Sequence, residues 1–337
     1  MSENRQWVLE RRPEGALRGG ELRYTTSAVP KAGTGQIVVR NEWLSVDPTN
    51  RLWMSEKESY LPALALGDPM RGFVIGKVTQ SNGAAFDVGD SVMGIGSWSD
   101  YSCGPASNFF ASFKVPGVSN KDLLGYYYHI APTSYFGLRE IGQPKIGETL
   151  VVSTAGGAVG SIVVQLGKLW GCKVIGIAGG RDKCDWIVGE LGADGAIDYK
   201  SEDLAGRLDA LCPEGVDVFF DNVGGTQLAT VVERMNLQGR VVLCGSVSSY
   251  ASEGQERTSY NLLPLIIKRV RMEGFVVLDY LPRYSEAVRA LGILQNSGKL
   301  KWRYEDFDDL RDAETAMLNL YAGKNRGKVM VRVGGKG

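Results

Sequence analysis

Up to about residue 125 the apolar positions come in short runs separated by glycine, as in Gln36-Ile37-Val38-Val39-Arg40, Gly72-Phe73-Val74-Ile75-Gly76-Lys77-Val78 and Val88-Gly89-Asp90-Ser91-Val92-Met93-Gly94. Half-buried alternation with turn residues at regular spacing predicts a small, curled or barrel-like β domain. From about Asn120 the pattern changes. A helical stretch over Tyr126–Ile141 leads into the loop GQPKIGE, after which strand-length apolar runs alternate with stretches of helical period. The spacing predicts strands at Thr149–Thr154, Lys173–Ala178, Gly195–Tyr199, Val216–Asn222, Gly239–Gly245 and Arg271–Leu278. Helices are predicted between them at Val159–Trp170, Lys183–Leu191, Leu204–Leu211 and Leu228–Met235. Strands that are apolar throughout and joined by helices are buried on both faces, so this part reads as an α/β fold with a doubly wound parallel sheet.

After about Tyr284 the alternation stops. A helix, the stretch Lys301–Phe307, a second helix Leu310–Tyr321 and a closing strand Gly327–Val333 do not extend the sheet and are expected to return to the first domain. The expected organisation is therefore a β domain from 1–125 and 285–337 around an α/β domain at 126–284.

Composition narrows the chemistry. The 337 residues carry 38 basic and 38 acidic side chains, so no basic excess points to nucleic acid. No apolar stretch approaches the ~20 residues of a membrane span. The N-terminus MSENRQWVLERRPEG has charges where a signal peptide needs an apolar core, and a cytoplasmic location is the expectation. The five cysteines are odd in number and widely spaced, which is not a disulfide framework. With one histidine, His129, neither a zinc ligand set nor a Ser-His-Asp triad is supported, and His129 reads as a partly buried structural residue.

The strongest chemical signal is Leu150-Val151-Val152-Ser153-Thr154-Ala155-Gly156-Gly157-Ala158-Val159-Gly160-Ser161. Against G-x-G-x-x-G it has Ala155, Gly157 and Gly160, after an apolar strand and at the start of an amphipathic helix. Gly157 would let backbone N–H groups approach a pyrophosphate, and Gly160 would let the helix pack closely on the sheet. The second strand decides which dinucleotide. It ends Ala178-Gly179-Gly180 with no carboxylate to bond a ribose 2′-OH, and Arg181 and Lys183 follow. Two cations and no acid favour the 2′-phosphate of NADP(H), unless they are ordinary first-turn charges.

These residues, with RQWVLERRPEG, LSVDP, FDNVGG, GRVVLCGSVSSY, RMEGF and GKNRGKVMVRV, resemble the zinc-independent medium-chain dehydrogenase/reductase superfamily over nearly the whole chain. The likeness is to the prostaglandin reductase, leukotriene hydroxydehydrogenase and curcumin reductase branch. It implies a Rossmann domain between the two halves of a GroES-like β-barrel domain formed by both chain ends. It also implies that Gly157, Ala158, Val159 and Gly160 cradle the pyrophosphate, and that Lys183 and Tyr199 contact the adenosine 2′-phosphate. By the same likeness Asn222, the loop Cys244, Gly245, Ser246, Val247, Ser248 and Ser249, the segment Phe275, Val276 and Val277, and Asn325 line the cofactor. Gly67-Asp68-Pro69 stands where zinc members have Gly-His-Glu.

The implied reaction is reduction of a carbon-carbon double bond conjugated to a ketone or aldehyde. Hydride reaches the β-carbon and charge gathers on the carbonyl oxygen, so the protein must align the reactants and donate a hydrogen bond. A tyrosine hydroxyl suits that task, and Tyr250, ending CGSVSSY, is where the family has a tyrosine; an aromatic anchor role for it, and the cofactor's ribose hydroxyl as donor, are the alternatives. Tyr60 and Met70, with Trp53 and Met54, are candidates for an apolar substrate pocket. Thr49-Asn50-Arg51 and Ile267 depart from the branch and leave eicosanoid and curcumin specificity open. A quinone reductase of the same superfamily and a non-catalytic NADPH-binding protein are the alternatives. The resemblance also implies a homodimer through the edge strand near Arg271–Leu278.

Overall fold

A computed structural model describes residues 3–57, 61–112, 117–251 and 259–334. The chain forms two compact units, 129–303 and, from both chain ends, 1–128 with 304–337.

The unit 129–303 is built on a six-stranded parallel sheet. In chain order its strands are Thr149–Ser153, Lys173–Ala178, Gly195–Asp198, Val216–Asp221, Met235–Leu243 and Arg271–Gly274. In space they run third, second, first, fourth, fifth, sixth, so the strand order reverses between the first and the fourth. That reversal opens a crevice at the carboxyl ends of the strands, the usual ligand position in such sheets. The first strand is buried at every position, as its uninterrupted apolar run requires. Helices Ala158–Leu169, Arg181–Gly189, Leu204–Leu211 and Gly225–Val232 join the strands. Leu204–Leu211 starts where expected because Asp203 caps it, accepting from the N–H groups of Ala205 and Gly206.

Three expectations are corrected here. The sixth strand stops at Gly274, not Leu278, because its partner stops at Leu243, which pairs with Gly274. Val277–Arg283 then turns into a 3₁₀ helix. The helix read over Tyr126–Ile141 is split into π, α and π segments, Leu123–Tyr127, Ile130–Phe136 and Gly137–Gly142, with His129 at φ −141°. A continuous helix would drive the Pro132 ring into the carbonyl of Tyr128. Restarting at Ile130 puts Pro132 in a first turn, where its missing N–H costs nothing. The boundary expected at 284/285 moves to Arg303, because helix Tyr284–Asn296 buries Tyr284, Ala287 and Leu291 within this unit.

The other unit is a curled seven-stranded sheet and a separate hairpin, Glu3–Leu9 with Leu22–Ala28. Its long strands Gln36–Val46 and Arg71–Asn82 pair antiparallel with irregular register, and Ser91–Ser97 continues the sheet. The curl needs glycine at two close approaches. A Cβ on Gly76 would lie 2.0 Å from the Arg40 carbonyl oxygen, and one on Gly94 2.1 Å from that of Asn108. The C-terminal strands Tyr304–Phe307 and Lys328–Arg332 complete the sheet against Gln36–Val46, so both chain ends build this β domain.

One charged pair is sealed inside it. The Lys328 ammonium, 2% exposed, donates to Asp47 Oδ1 at 2.6 Å and to the Val46 carbonyl at 3.0 Å. Asp47 also accepts from the Ser45 hydroxyl, and its N–H donates to Asn50 Oδ1 at 2.7 Å. Asn50 in turn donates to the Arg71 carbonyl, and the Tyr321 hydroxyl to that of Pro48. These bonds fix the turn into helix Thr49–Trp53. Replacing Lys328 with Met keeps the volume but strands the buried carboxylate, an expected loss of about 3–5 kcal/mol. Urea unfolding checks it: the midpoint falls for Lys328→Met and recovers in the double variant Lys328→Met/Asp47→Asn.

Candidate functional site

The site grows from the end of the first strand. Thr154 turns the chain with φ +51°, and the Ala155 N–H donates to the Ile177 carbonyl of the second strand at 3.0 Å. The left-handed residue is thus Thr154, and the position read as the first motif glycine is free to be Ala155. Its methyl is accommodated by Gly176, where a Cβ would stand 2.8 Å from that of Ala155. Gly157 caps the helix Ala158–Leu169 with no side chain to bond the first turn. The N–H groups of Ala158, Val159 and Gly160 therefore have no intrahelical acceptor and present the positive end of a twelve-residue helix. A Cβ on Gly160 would sit 2.2 Å from the Thr154 carbonyl oxygen and 2.9 Å from Ala155 Cα. Only glycine lets the helix start this close to the strand end. The arrangement fits a pyrophosphate.

At the end of the second strand Gly180 has φ +98°, and its N–H donates to Asp198 Oδ1 at 2.7 Å. A Cβ on Gly156 would rest 3.3 Å from Lys183 Cβ, so the Lys183 stem lies along the glycine loop. A Cβ on Gly179 would meet Tyr199 Cε1 at 3.0 Å and Lys200 Cε at 2.8 Å. Lys183 and Tyr199 thus both border the turn. Arg181, the other cation singled out from sequence, is 86% exposed and pairs with Asp185 one helical turn on. Asp198, one strand over, accepts from Gly180 and Lys200 N–H and from the Ser201 hydroxyl. Its carboxyl is held below the usual range by the Gly180 bond first, then the one from Ser201.

At the ends of the fourth and fifth strands sequence reasoning missed the central group. Asp221 is 0% exposed; Oδ1 accepts from the Ser153 hydroxyl (2.9 Å) and Val223 N–H (3.0 Å), and Oδ2 from Gly224 N–H (2.9 Å). Burial pushes its carboxyl up, against these three bonds. Ser153 also accepts from Asn222 N–H at 2.8 Å, while Asn222 Nδ2 donates to the Ser153 carbonyl at 2.7 Å. Asn222 is thereby held against the end of the first strand. The signal was an acid in the second place of FDNVGG, at the end of an otherwise apolar strand.

The loop Cys244–Tyr250 hangs from the same turn. Cys244 and Gly245 N–H bond the Asp221 carbonyl, Val247 N–H that of Asn222, and Ser248, through both N–H and hydroxyl, that of Val223. Ser246 and Ser249 share a hydroxyl bond of 2.8 Å. The Ser246 N–H donates to the Tyr250 hydroxyl at 3.3 Å. Burial raises the Tyr250 phenol above its ordinary value, so it stays protonated. That proton has no acceptor among the described residues. The Cys244 thiol is pushed up to about 12 by burial and is no nucleophile at neutral pH.

The remaining candidates divide. Phe275 lies against Gly137, where a Cβ would be 2.6 Å from its ring, and edge-on to Tyr280. Val276 is 38% exposed, and Val277 opens the 3₁₀ helix. In the β domain Asn325 is buried and its side chain donates to the Gly327 carbonyl at 2.9 Å. Met70, Trp53 and Met54 are all fully buried in that domain's apolar core, so the pocket role read for Met70 gives way to a core one. Tyr60 lies outside the described residues. Among the described residues no group of three or more His, Cys, Asp or Glu could hold a metal ion, and no helix is long and apolar enough to cross a membrane.

Residues 5–112 match the family described as the N-terminal domain of oxidoreductase, and residues 158–292 the one described as zinc-binding dehydrogenase. The NADPH-dependent curcumin reductase of Escherichia coli is 38% identical over 98% of this chain and 97% of its own length. The NADP(+)-dependent 2-alkenal reductase of Nicotiana tabacum is 39% identical over 89% of this chain and 88% of its own. The crystal structure of CurA from Vibrio vulnificus in complex with NADPH superposes with a TM-score of 0.91 at 36% identity, covering 98% of this chain and 100% of that one. A Rossmann unit carrying this glycine loop, a β domain from both chain ends and likeness of this extent place the chain in the zinc-independent medium-chain dehydrogenase/reductase superfamily, to whose curcumin and prostaglandin reductase branch it belongs.

Proposed function

We propose that the protein is an NADPH-dependent reductase of the carbon-carbon double bond in α,β-unsaturated ketones and aldehydes. The observation that carries this reading is the Tyr250 hydroxyl. It is protonated, held by one backbone donor, and has its own proton uncommitted among the described residues, on a loop bonded to the FDNVGG turn that Ser153 ties to the end of the first strand. When bound, NADPH supplies the hydride that adds to the β-carbon of the substrate.

The chain's own residues do the rest. The first-turn N–H groups of Ala158, Val159 and Gly160 bind the pyrophosphate, and Lys183 and Tyr199 border the 2′-phosphate. Asn222, the loop Cys244–Ser249 and Phe275-Val276-Val277 line the nicotinamide side. Tyr250 donates to the carbonyl oxygen as negative charge gathers there, which stabilises the transition state more than the ground state. With every thiol unpaired, a cytoplasmic setting is part of the same reading.

We also propose a homodimer. The strand Arg271–Gly274 is the edge of the parallel sheet, and Leu262, Leu263, Ile266 and Ile267 just before it are each more than half exposed. An unpaired edge beside an apolar surface invites a second copy.

Three measurements check these statements. A panel of enones, alkenals and quinones should give NADPH consumption with the first two, far faster than with NADH. Reduction of quinones alone would move the activity to quinone reductase, and binding without any turnover would make the protein a non-catalytic module. Tyr250→Phe should lower kcat about tenfold or more with little change in NADPH affinity, one oxyanion donor being worth up to ~10²–10³. Light scattering should give twice the chain mass, and Leu263→Glu with Ile266→Glu should return it to one chain.

A further inference from the structure

We infer that Lys200 is a specificity-determining residue, a second cation that grips the 2′-phosphate of NADP(H) together with Lys183. The inference rests on the NADP(H) reading and adds to it a residue that neither the glycine motif nor the charges after the second strand indicated.

The turn Gly179-Gly180 ends the second strand, and Lys200 folds back across it. A Cβ on Gly179 would be 2.8 Å from Lys200 Cε and 3.2 Å from its Cδ. The last two methylenes before the ammonium therefore lie on the face left bare by the missing side chain. The Lys183 stem lies along Gly156, and its N–H donates to the Gly180 carbonyl at 3.1 Å. The glycines serve as a floor on which two lysine stems lie.

The charges nearby are disposed of in a way that leaves Lys200 available. Asp198 spends its oxygens on Gly180 N–H, Lys200 N–H and the Ser201 hydroxyl. Glu202 accepts from the Asp198 N–H and pairs with Arg207 at 2.9 Å. Arg181 is paired with Asp185 at 2.9 Å. The Lys200 ammonium makes no hydrogen bond or ion pair among the described residues, although its backbone is fixed by Asp198. An ammonium on an anchored backbone, stretched over a glycine and acting on Asp198 through its charge with no ion-pair contact, suits a dianionic phosphate. A ribose 2′-OH at the same place offers it little, so the residue discriminates between the two cofactors.

Calorimetric titration separates this from the proposed catalytic function, because it requires no turnover. Binding of NADPH, NADH, adenosine 2′-monophosphate and adenosine 5′-monophosphate is measured for the wild type, Lys200→Gln, Lys200→Arg and Lys183→Gln. A charge-assisted bond to phosphate is worth about a tenfold change in affinity or more. Lys200→Gln should therefore weaken NADPH and the 2′-monophosphate about tenfold while NADH and the 5′-monophosphate stay within about twofold. Lys200→Arg should keep most of the wild-type preference, and Lys183→Gln should reproduce the loss. A Lys200→Gln protein that retains the wild-type NADPH-to-NADH ratio, or that loses both cofactors equally, overturns the assignment. Wild-type protein with no preference for the 2′-phosphorylated ligands would instead overturn the NADP(H) reading.

Discussion

The distance between the start of helix Ala158–Leu169 and the end of strand Thr149–Ser153 governs the cofactor side of the molecule. It is short enough that no side chain fits at Gly160 without striking the Thr154 carbonyl. At that separation the uncapped N–H groups stand in the crevice where the sheet order reverses, and the helix dipole adds to them. The same closeness displaces strain onto Thr154, whose φ of +51° is uncommon for a branched residue. It also couples the first strand to the second, since Ala155 occupies the space left by Gly176 and bonds Ile177. A larger residue at either glycine would push helix, turn and second strand apart together.

A second constraint carries that geometry across the crevice. Ser153 and Asp221 end neighbouring strands, and their bond ties the glycine turn to FDNVGG. From there the Asp221, Asn222 and Val223 carbonyls hold the loop that carries Tyr250. A buried carboxylate with three donors is costly to desolvate and costly to leave half-satisfied, so the three groups it binds have little freedom to move. The glycine turn and the loop that carries Tyr250 are placed by one connected set of hydrogen bonds within a single unit.

The sequence was most legible where burial dictates composition. The parallel strands are covered on both faces and read as uninterrupted apolar runs, and the helix expected at Leu204–Leu211 has those bounds in the structure. It was least legible where a feature depends on a partner distant in sequence. Val276-Val277-Leu278 looks like strand, yet a strand ends where its neighbour ends, at Leu243. Met70 has a substrate-lining character until the β domain closes over it. The left-handed turn residue was hidden because Thr154 is a poor candidate for that conformation by itself. In the site, Gly157 and Gly160 follow from spacing and motif and Asn222 only from the resemblance, whereas Asp221 and Lys200 become informative only when their neighbours are known. A charged residue's meaning is set by who else is bonded to whom.

Arg181 and Lys200 illustrate that rule with opposite outcomes. Counting charges after the second strand favours Arg181, which is nearest in sequence, but a helix places Asp185 one turn away and the pair satisfies itself on the surface. Lys200 follows the third strand, and only the parallel register that sets Asp198 beside Ala178 brings it to the second strand's turn. The acid that NAD-binding members of such folds keep at the end of the second strand has no counterpart there. Asp198, which braces the turn, is one strand over and committed to backbone N–H groups. Selection for a phosphorylated ribose then needs no dedicated pocket. It follows from an acid moved one strand aside, where it braces the turn instead of repelling the ligand, and from lysines whose stems lie across glycine.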